Sequence, residues 1–187
     1  MNFKRWLPTF LAFPLGGLLA IETLGSLDDV ASGAAGGLLA GVVIGAGQWL
    51  ALRSRGVGRR WVAYSAAGMA GGTALAAAVT GAGTELSDLM LTGLIAGAAV
   101  GAAQSTLLGR GRLVSAGWTA VTAASWSLGW LASWPIIGDN ADRGFYVFGA
   151  SGALVVTVLT GLALRRIFAA SGETSSATVR PAAPATA

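Results

Sequence analysis

The stretch from Gly33 to Arg53, GAAGGLLAGVVIGAGQWLALR, restricts the folds open to this chain more than any other. Gly33, Gly37, Gly41 and Gly45 recur every four residues, an interval that stacks them along one face of a helix. No formal charge occurs before Arg53, and the stretch is long enough to cross a hydrocarbon core of about 30 Å. Lipid removes the hydrophobic force between helices, so a face stripped of side chains is how two of them come close. The segment returns 56 residues on, where Gly37, Gly41, Gly45 and Gln48 become Gly93, Gly97, Gly101 and Gln104. The expected fold is an all-α integral membrane protein built by internal repetition.

Composition agrees and narrows the chemistry. Of 187 residues 54% are hydrophobic and 11% charged, too few polar groups to clothe a soluble globule of this size. The net charge of +4 is gathered in short basic clusters between apolar segments, which reads as membrane orientation and not as a nucleic-acid surface. The chain has no Cys and no His, which excludes disulfides, thiol nucleophiles, Cys/His zinc sites and histidine acid–base chemistry. The glycine stripes follow no strand and carry no P-loop Lys, so nucleotide binding is rejected. No nucleophile–base pair or metal-ligand cluster is visible. A protein without enzymatic activity, cofactor or metal is expected, and the Arg-, Ala- and Gly-rich usage suggests a bacterial source.

Six spans are expected: Trp6 to about Gly25, Val30 to Leu52, Trp61 to Ala82, Leu89 to Leu108, Val114 to Trp134, and Phe145 to Leu164. Each is near the roughly 20 residues a crossing needs. Lys4, Arg5, Arg53, Arg55, Arg59, Arg60, Arg110, Arg112, Arg165 and Arg166, with Arg180 of the tail, then share one side. The opposite loops carry Asp28, Asp29, Glu85, Asp88, Asp139 and Asp142, with Arg143 the single base among them. The positive-inside rule places both termini in the cytoplasm of a bacterial plasma membrane. Residues 1–168 form this six-transmembrane domain, and 169–187, rich in Ala, Ser, Thr and Pro, read as a disordered cytoplasmic tail.

The repeat has three copies. Trp6, Trp61 and Trp118 each stand eleven residues before a glycine, Gly17, Gly72 and Gly129. Each Trp-led helix is followed by an acidic loop and a glycine-striped return helix, giving a six-helix transmembrane bundle of three hairpin repeats. The third stripe weakens to Gly149, Ala153, Thr157 and Gly161, with Ala163 or Leu164 in place of the Gln. Gly37, Gly41, Gly45, Gly93, Gly97 and Gly101 are the expected helix-packing residues. The three return helices are expected at the centre with stripes inward, and the Trp-led helices outside or between them.

Few residues are candidates for binding. Gln48 and Gln104 need hydrogen-bond partners inside lipid, and either bond one another between helices or bind a ligand; the packing role is favoured. Glu22, the single ionisable residue inside a span, is a proton or cation site or, the favoured reading, a hydrated carboxylate near the outer boundary. Trp126 and Trp130, with Trp134, step by four along the fifth span. They wall a groove for a flat apolar ligand or, as favoured, pack or face lipid. Trp118 and Trp134, like Trp6, Trp49 and Trp61, are expected in aromatic belts.

The pattern G-x3-G-x3-G-x2-Q followed by Leu and Arg, at Gly37 to Arg53 and Gly93 to Arg110, resembles a class of small uncharacterised bacterial six-span proteins made of three hairpins. The resemblance covers about Trp6 to Arg166, departs at Ser105 where the first copy has Trp49, and implies topology but no activity. A looser likeness, in size and small-residue stripes, is to the substrate-binding subunits of vitamin transporters. Two functions are carried forward. The expected one is a non-catalytic binding or transport subunit for a small apolar or neutral molecule, with the second as the alternative. The other is a structural or assembly protein whose glycine faces bind a partner membrane protein or a second copy. The bilayer is the expected surrounding in both, and nucleic acid is a partner in neither.

Overall fold

The computed structural model describes residues 2–138 and 149–177, with side chains through 169. Among them are helices and no strands. The first segment is broken: α1 (Phe3–Trp6), a 3-10 stretch (Leu7–Leu11) and α2 (Ala12–Leu24). Pro8 and Pro14 remove two backbone N–H donors here, which tightens the chain locally into i→i+3 bonding. Then follow α3 (Val30–Leu52), α4 (Arg60–Thr80), α5 (Leu86–Leu108), α6 (Gly111–Ile137) and α7 (Ala150–Ala177).

Five of these six segments are long and apolar enough to cross a membrane, which supports a membrane protein. The exception, α6, has ample length at 27 residues. Its four Trp, four Ser and two Thr lower its mean hydropathy, although Trp is at home in a bilayer boundary. The expected start of the last span at Phe145, and Asp139, Asp142, Arg143 and Arg180, lie outside the described residues. So does the tail from 178 onward.

Helix ends follow local chemistry. Asp29 caps α3, its carboxylate accepting from the Ser32 N–H at 2.7 Å while the Ser32 hydroxyl bonds the Asp29 N–H at 3.1 Å. These bonds, the backbone one foremost, hold the Asp29 carboxyl below its ordinary range. The sign follows: the cap stabilises above the carboxylate's unfolded pKa and is lost as pH falls through the lower folded value. At the other end of the next hairpin, α4 stops where Gly81 turns left-handed at φ 64°, a conformation that costs glycine nothing.

The helices pack as a ring in chain order, with α7 closing on the first segment. Phe13, Ile44, Met69, Val100, Trp126 and Val156, one from each segment, meet in a shared apolar core. Phe13 reaches Trp126 edge-on at 5.7 Å. The return helices α3, α5 and α7 do not gather at the centre, contrary to expectation; they alternate with the Trp-led helices. Their stripes face sideways. A Cβ on Gly41 would sit 2.7 Å from the Ala66 Cα of α4, and one on Gly45 2.8 Å from the Ser65 Cβ. On α5, Gly93, Gly97 and Gly101 stand against α6, with a Cβ 2.7 Å from the Trp126 carbonyl, 2.8 Å from the Thr122 carbonyl and 2.8 Å from the Thr119 Cα. Gly37 likewise abuts the Met69 carbonyl of α4 at 2.8 Å.

The physical reason is register. Short turns after α3 and α5 hold each return helix against the next helix along its whole length, so backbone approach is needed there. The Trp-led helices carry fewer such glycines toward the following helix: Gly16 on Ala40, Gly68 and Gly72 on α5, and Gly129, whose carbonyl lies against Gly152.

Gly41→Ala and Gly97→Ala are therefore expected to lower stability by about 1–3 kcal/mol each, the usual cost of overpacking. Gly71→Ala is the control, because nothing lies within 4 Å of a Cβ there and Ala favours helix over Gly by up to about 1 kcal/mol. Thermal melting of the purified protein in detergent checks both. Equal tolerance at all three positions contradicts the packing.

Candidate functional site

The most connected polar group among the described residues is assembled at the end of the bundle where α3 and α5 finish. Trp61 enters from the first turn of α4, Trp118 from α6, Gln48 from α3 and Gln104 from α5. Indole N–H groups can only donate, so each Gln turns its oxygen to a Trp. Trp61 Nε1 donates to Gln48 Oε1 at 3.0 Å, and Trp118 Nε1 to Gln104 Oε1 at 3.2 Å. Gln104 Nε2 then donates to Gln48 Oε1 at 2.9 Å and to Ser65 Oγ at 2.8 Å, and Ser65 passes its proton to the Trp61 carbonyl at 2.7 Å. Both lone pairs of Gln48 Oε1 and both amide hydrogens of Gln104 are thereby used.

All five side chains are buried, Gln48 at 5% exposure and the others at 1% or less. Leu52, Leu164 and Trp6 complete an apolar layer around them, and the Trp61 and Trp118 rings lie 6.3 Å apart. This corrects the belt placement of Trp6, Trp61 and Trp118. A belt tryptophan meets headgroups, whereas these three find acceptors inside the protein. Trp49 does sit at the surface of the bundle, half-buried beneath the Arg59 guanidinium at 5.7 Å.

The third Trp shows what happens without an amide. Trp6 Nε1 donates to the Thr157 backbone carbonyl of α7 at 2.8 Å. Gly161 makes the room, since a Cβ there would fall 2.6 Å from the ring. Neither Ala163 nor Leu164 takes the place of the Gln. Gln48 and Gln104 each stand four residues before a leucine, Leu52 and Leu108, and Thr160 stands four before Leu164. Thr160 is buried and returns its hydroxyl proton to the Val156 carbonyl at 2.6 Å. The 56-residue interval, carried one step further from Gln104, finds Thr160 directly; the variable loop lengths obscured it.

The other candidates are not brought to this site. Gly47 packs on Ala12 and Gly16 on Ala40, so α2 runs antiparallel to α3 and Glu22 stands exposed toward the opposite end. Trp126 and Trp130 are 3% exposed within the central core. Gly93 and Gly97 lie against them, and they wall no groove between themselves and α5. Among the described residues no group of three His, Cys, Asp or Glu could hold a metal ion.

Compared with protein-family models, with curated proteins and with solved structures, the chain finds no match.

Chemically the chain of indoles and amides holds no titratable group, and its one hydroxyl, Ser65, is committed to Gln104 and the Trp61 carbonyl. What it does is lock four helices in register at one depth. Gln48→Leu leaves the Trp61 indole and one Gln104 hydrogen unpaired, at a cost of about 1–3 kcal/mol. Gln104→Leu strands the Trp118 indole in the same way, while Ser65 keeps its bond to the Trp61 carbonyl. Interhelical bonds in membranes couple by about 0.6 kcal/mol, with a maximum near 1.7, and the double change should cost less than the two single changes together. Strict additivity in a melting-based double-mutant cycle rules out the shared bond.

Proposed function

We propose that the chain is a six-span plasma-membrane protein of three hairpin repeats, non-catalytic, serving as a structural or assembly component of its membrane. Bacterial origin and cytoplasmic termini belong to the same reading. The six-span count takes α6 as a crossing despite its Ser, Thr and Trp, because its neighbours α5 and α7 are both long and apolar enough to cross. The basic residues Arg53 to Arg60 and Arg110 to Arg112 then share a face with Lys4 and Arg5, while Asp28, Asp29, Glu85 and Asp88 share the other. The repeat rests on Ile44, Val100 and Val156, spaced 56 residues apart and all buried. It also rests on Trp6, Trp61 and Trp118, each donating to the return helix before it around the ring.

One observation carries the functional choice. The two amides that would line a ligand site in a carrier are occupied by each other and by Trp61, Trp118 and Ser65, in a packed layer. Glu22 lies apart from them. A transport subunit needs polar groups that meet solvent in at least one state, and here they support packing instead. This favours assembly over carriage of a small molecule.

Cysteine labelling tests both parts, in a chain that has no Cys of its own. Ser65→Cys, Ser125→Cys and Ser133→Cys are near-isosteric changes at buried positions spread over the depth of the bundle. All three are expected to stay unreactive to a small membrane-impermeant thiol reagent from either side. Reaction of any one identifies an aqueous path and overturns the assembly reading in favour of transport. For topology, Leu86→Cys should label from outside intact cells and Val57→Cys only after permeabilisation; the reverse pattern inverts the protein. Extracted gently from its native membrane, the chain should migrate in a complex larger than its own 18.6 kDa. A lone monomer there counts against assembly.

A further inference from the structure

Where the turns after α3 and α5 meet α7, the surface holds a recess of about 270 Å³ lined by three arginines, Arg55, Arg60 and Arg110, and by apolar side chains. Its chemistry is divided. Leu107, Leu108, Val57 and Phe168 form an apolar wall continuous with the buried layer around Trp61 and Trp118, and the three arginines supply the rest. Arg110 is fixed in place: one Nη donates to the Ile167 carbonyl at 3.0 Å, and the guanidinium lies over the Phe168 ring at 4.9 Å. That bond uses one of five N–H groups, and the planar fork keeps the others for an acceptor. Arg55 and Arg60 are exposed, and neither has a carboxylate partner among the described residues. The carboxylates with described side chains, Glu22, Asp28, Asp29, Glu85 and Asp88, cluster at the other ends of the helices. Arg60 also opens α4, so the positive end of a 21-residue helix adjoins the recess.

We propose that this recess binds the phosphate headgroup of an anionic phospholipid, with the guanidinium groups of Arg55, Arg60 and Arg110 on the phosphate and the acyl chains beginning along Leu107, Leu108 and Phe168. The inference rests on the membrane reading above. Three converging arginines without a counter-charge among the described side chains call for an oxyanion, and guanidinium pairs with phosphate oxygens in a two-pronged fashion. The apolar wall at the finish of a membrane-length helix, α5, distinguishes a lipid from a free anion: a solvated phosphate gains nothing from it, whereas a lipid continues into it. Basic recesses between helices at the membrane boundary are a recurrent way to hold such headgroups.

The test uses the full chain in phosphatidylcholine nanodiscs doped with phosphatidylglycerol, with lipid retained after detergent extraction measured by native mass spectrometry. The wild type is expected to retain phosphatidylglycerol. Arg55→Gln/Arg60→Gln, which removes two exposed side chains outside the packed layers, should retain it about thirtyfold less, in keeping with the contribution of each cation near a headgroup. Lys4→Gln/Arg112→Gln removes as much exposed charge elsewhere on that face and should stay near the wild type. Equal loss in the two pairs, or no retention in the wild type, overturns the site. Relative to discs of phosphatidylcholine alone, doping with phosphatidylglycerol should raise the melting temperature, and millimolar inorganic phosphate added to the undoped discs should not. An equal rise with inorganic phosphate overturns the lipid assignment in favour of a free anion. Alkaline carbonate wash separates the premises: a chain stripped from membranes refutes the membrane reading and the lipid with it. A chain that resists the wash yet retains no lipid refutes the lipid alone.

Discussion

Backbone-to-backbone approach at the glycine faces is the constraint on which everything else hangs. With Cβ positions on Gly37, Gly41, Gly93 and Gly97 falling within 3 Å of main-chain atoms of the next helix, the main chains of neighbours are in direct contact. Dispersion between well-fitted surfaces, and not expulsion of water, holds helices together in lipid, and dispersion decays steeply with a gap. A single methyl group wedged into such a joint separates two helices over several turns. The glycines are also why the ring is in chain order: each stripe is matched to the helix that the following short turn can deliver.

The indole–amide chain depends on that approach. Gln48 bonds Trp61 only because the α3–α4 register fixed by Gly41 on Ala66 and Gly45 on Ser65 carries the first turn of α4 to the last turns of α3. The same holds for Gln104 and Trp118 after Gly97 and Gly101. The cross-link between the two joints is the Gln104-to-Gln48 bond, which ties α5 to α3 although their backbones do not pack. A polar group in hydrocarbon costs several kcal/mol if left alone. These residues therefore do not merely tolerate burial. They penalise any other register, in which one indole or one amide would be stranded.

Much of this was legible in the residues, and the failures have particular causes. The limits of α3, Val30 and Leu52, and the end of α5 at Leu108 follow from charge and glycine punctuation alone, because a span is bounded by where polar residues resume. The glycine interval identified which faces approach another helix. It could not say which helix, because a bare face is equally suited to any neighbour; turn length decided that, and the stripes went sideways. Trp6, Trp61 and Trp118 looked like belt residues because position along a span gives depth but not azimuth. The signal that places them was present: an indole donor thirteen or fourteen residues after an amide, across a short turn, faces it in an antiparallel pair. The 3-10 stretch follows from Pro8 and Pro14, residues legible as helix-breaking but not as still compatible with a span.

The ring is closed unequally, and the inequality has a chemical origin. The joint α3–α4 has four stripe glycines and a glutamine, and α5–α6 has three and a glutamine. The joint between α7 and the first segment has Gly161, a backbone carbonyl as acceptor for Trp6, and a 3-10 stretch in place of regular helix. The buried hydroxyls of Thr9 and Thr157, one on each side of the seam, have no hydrogen-bond partner among the described residues. An amide accepts and donates at once and so can join one Trp to a second Gln; a carbonyl already serving its own helix cannot extend the chain. Thr160, on α7, turns its hydroxyl back to Val156 and does not extend the polar chain beyond Gln48 and Gln104. A closed polar ring around an axis would have been the germ of a pore. Two linked amides to one side instead leave the axis to Phe13, Trp126 and their neighbours, which fill it.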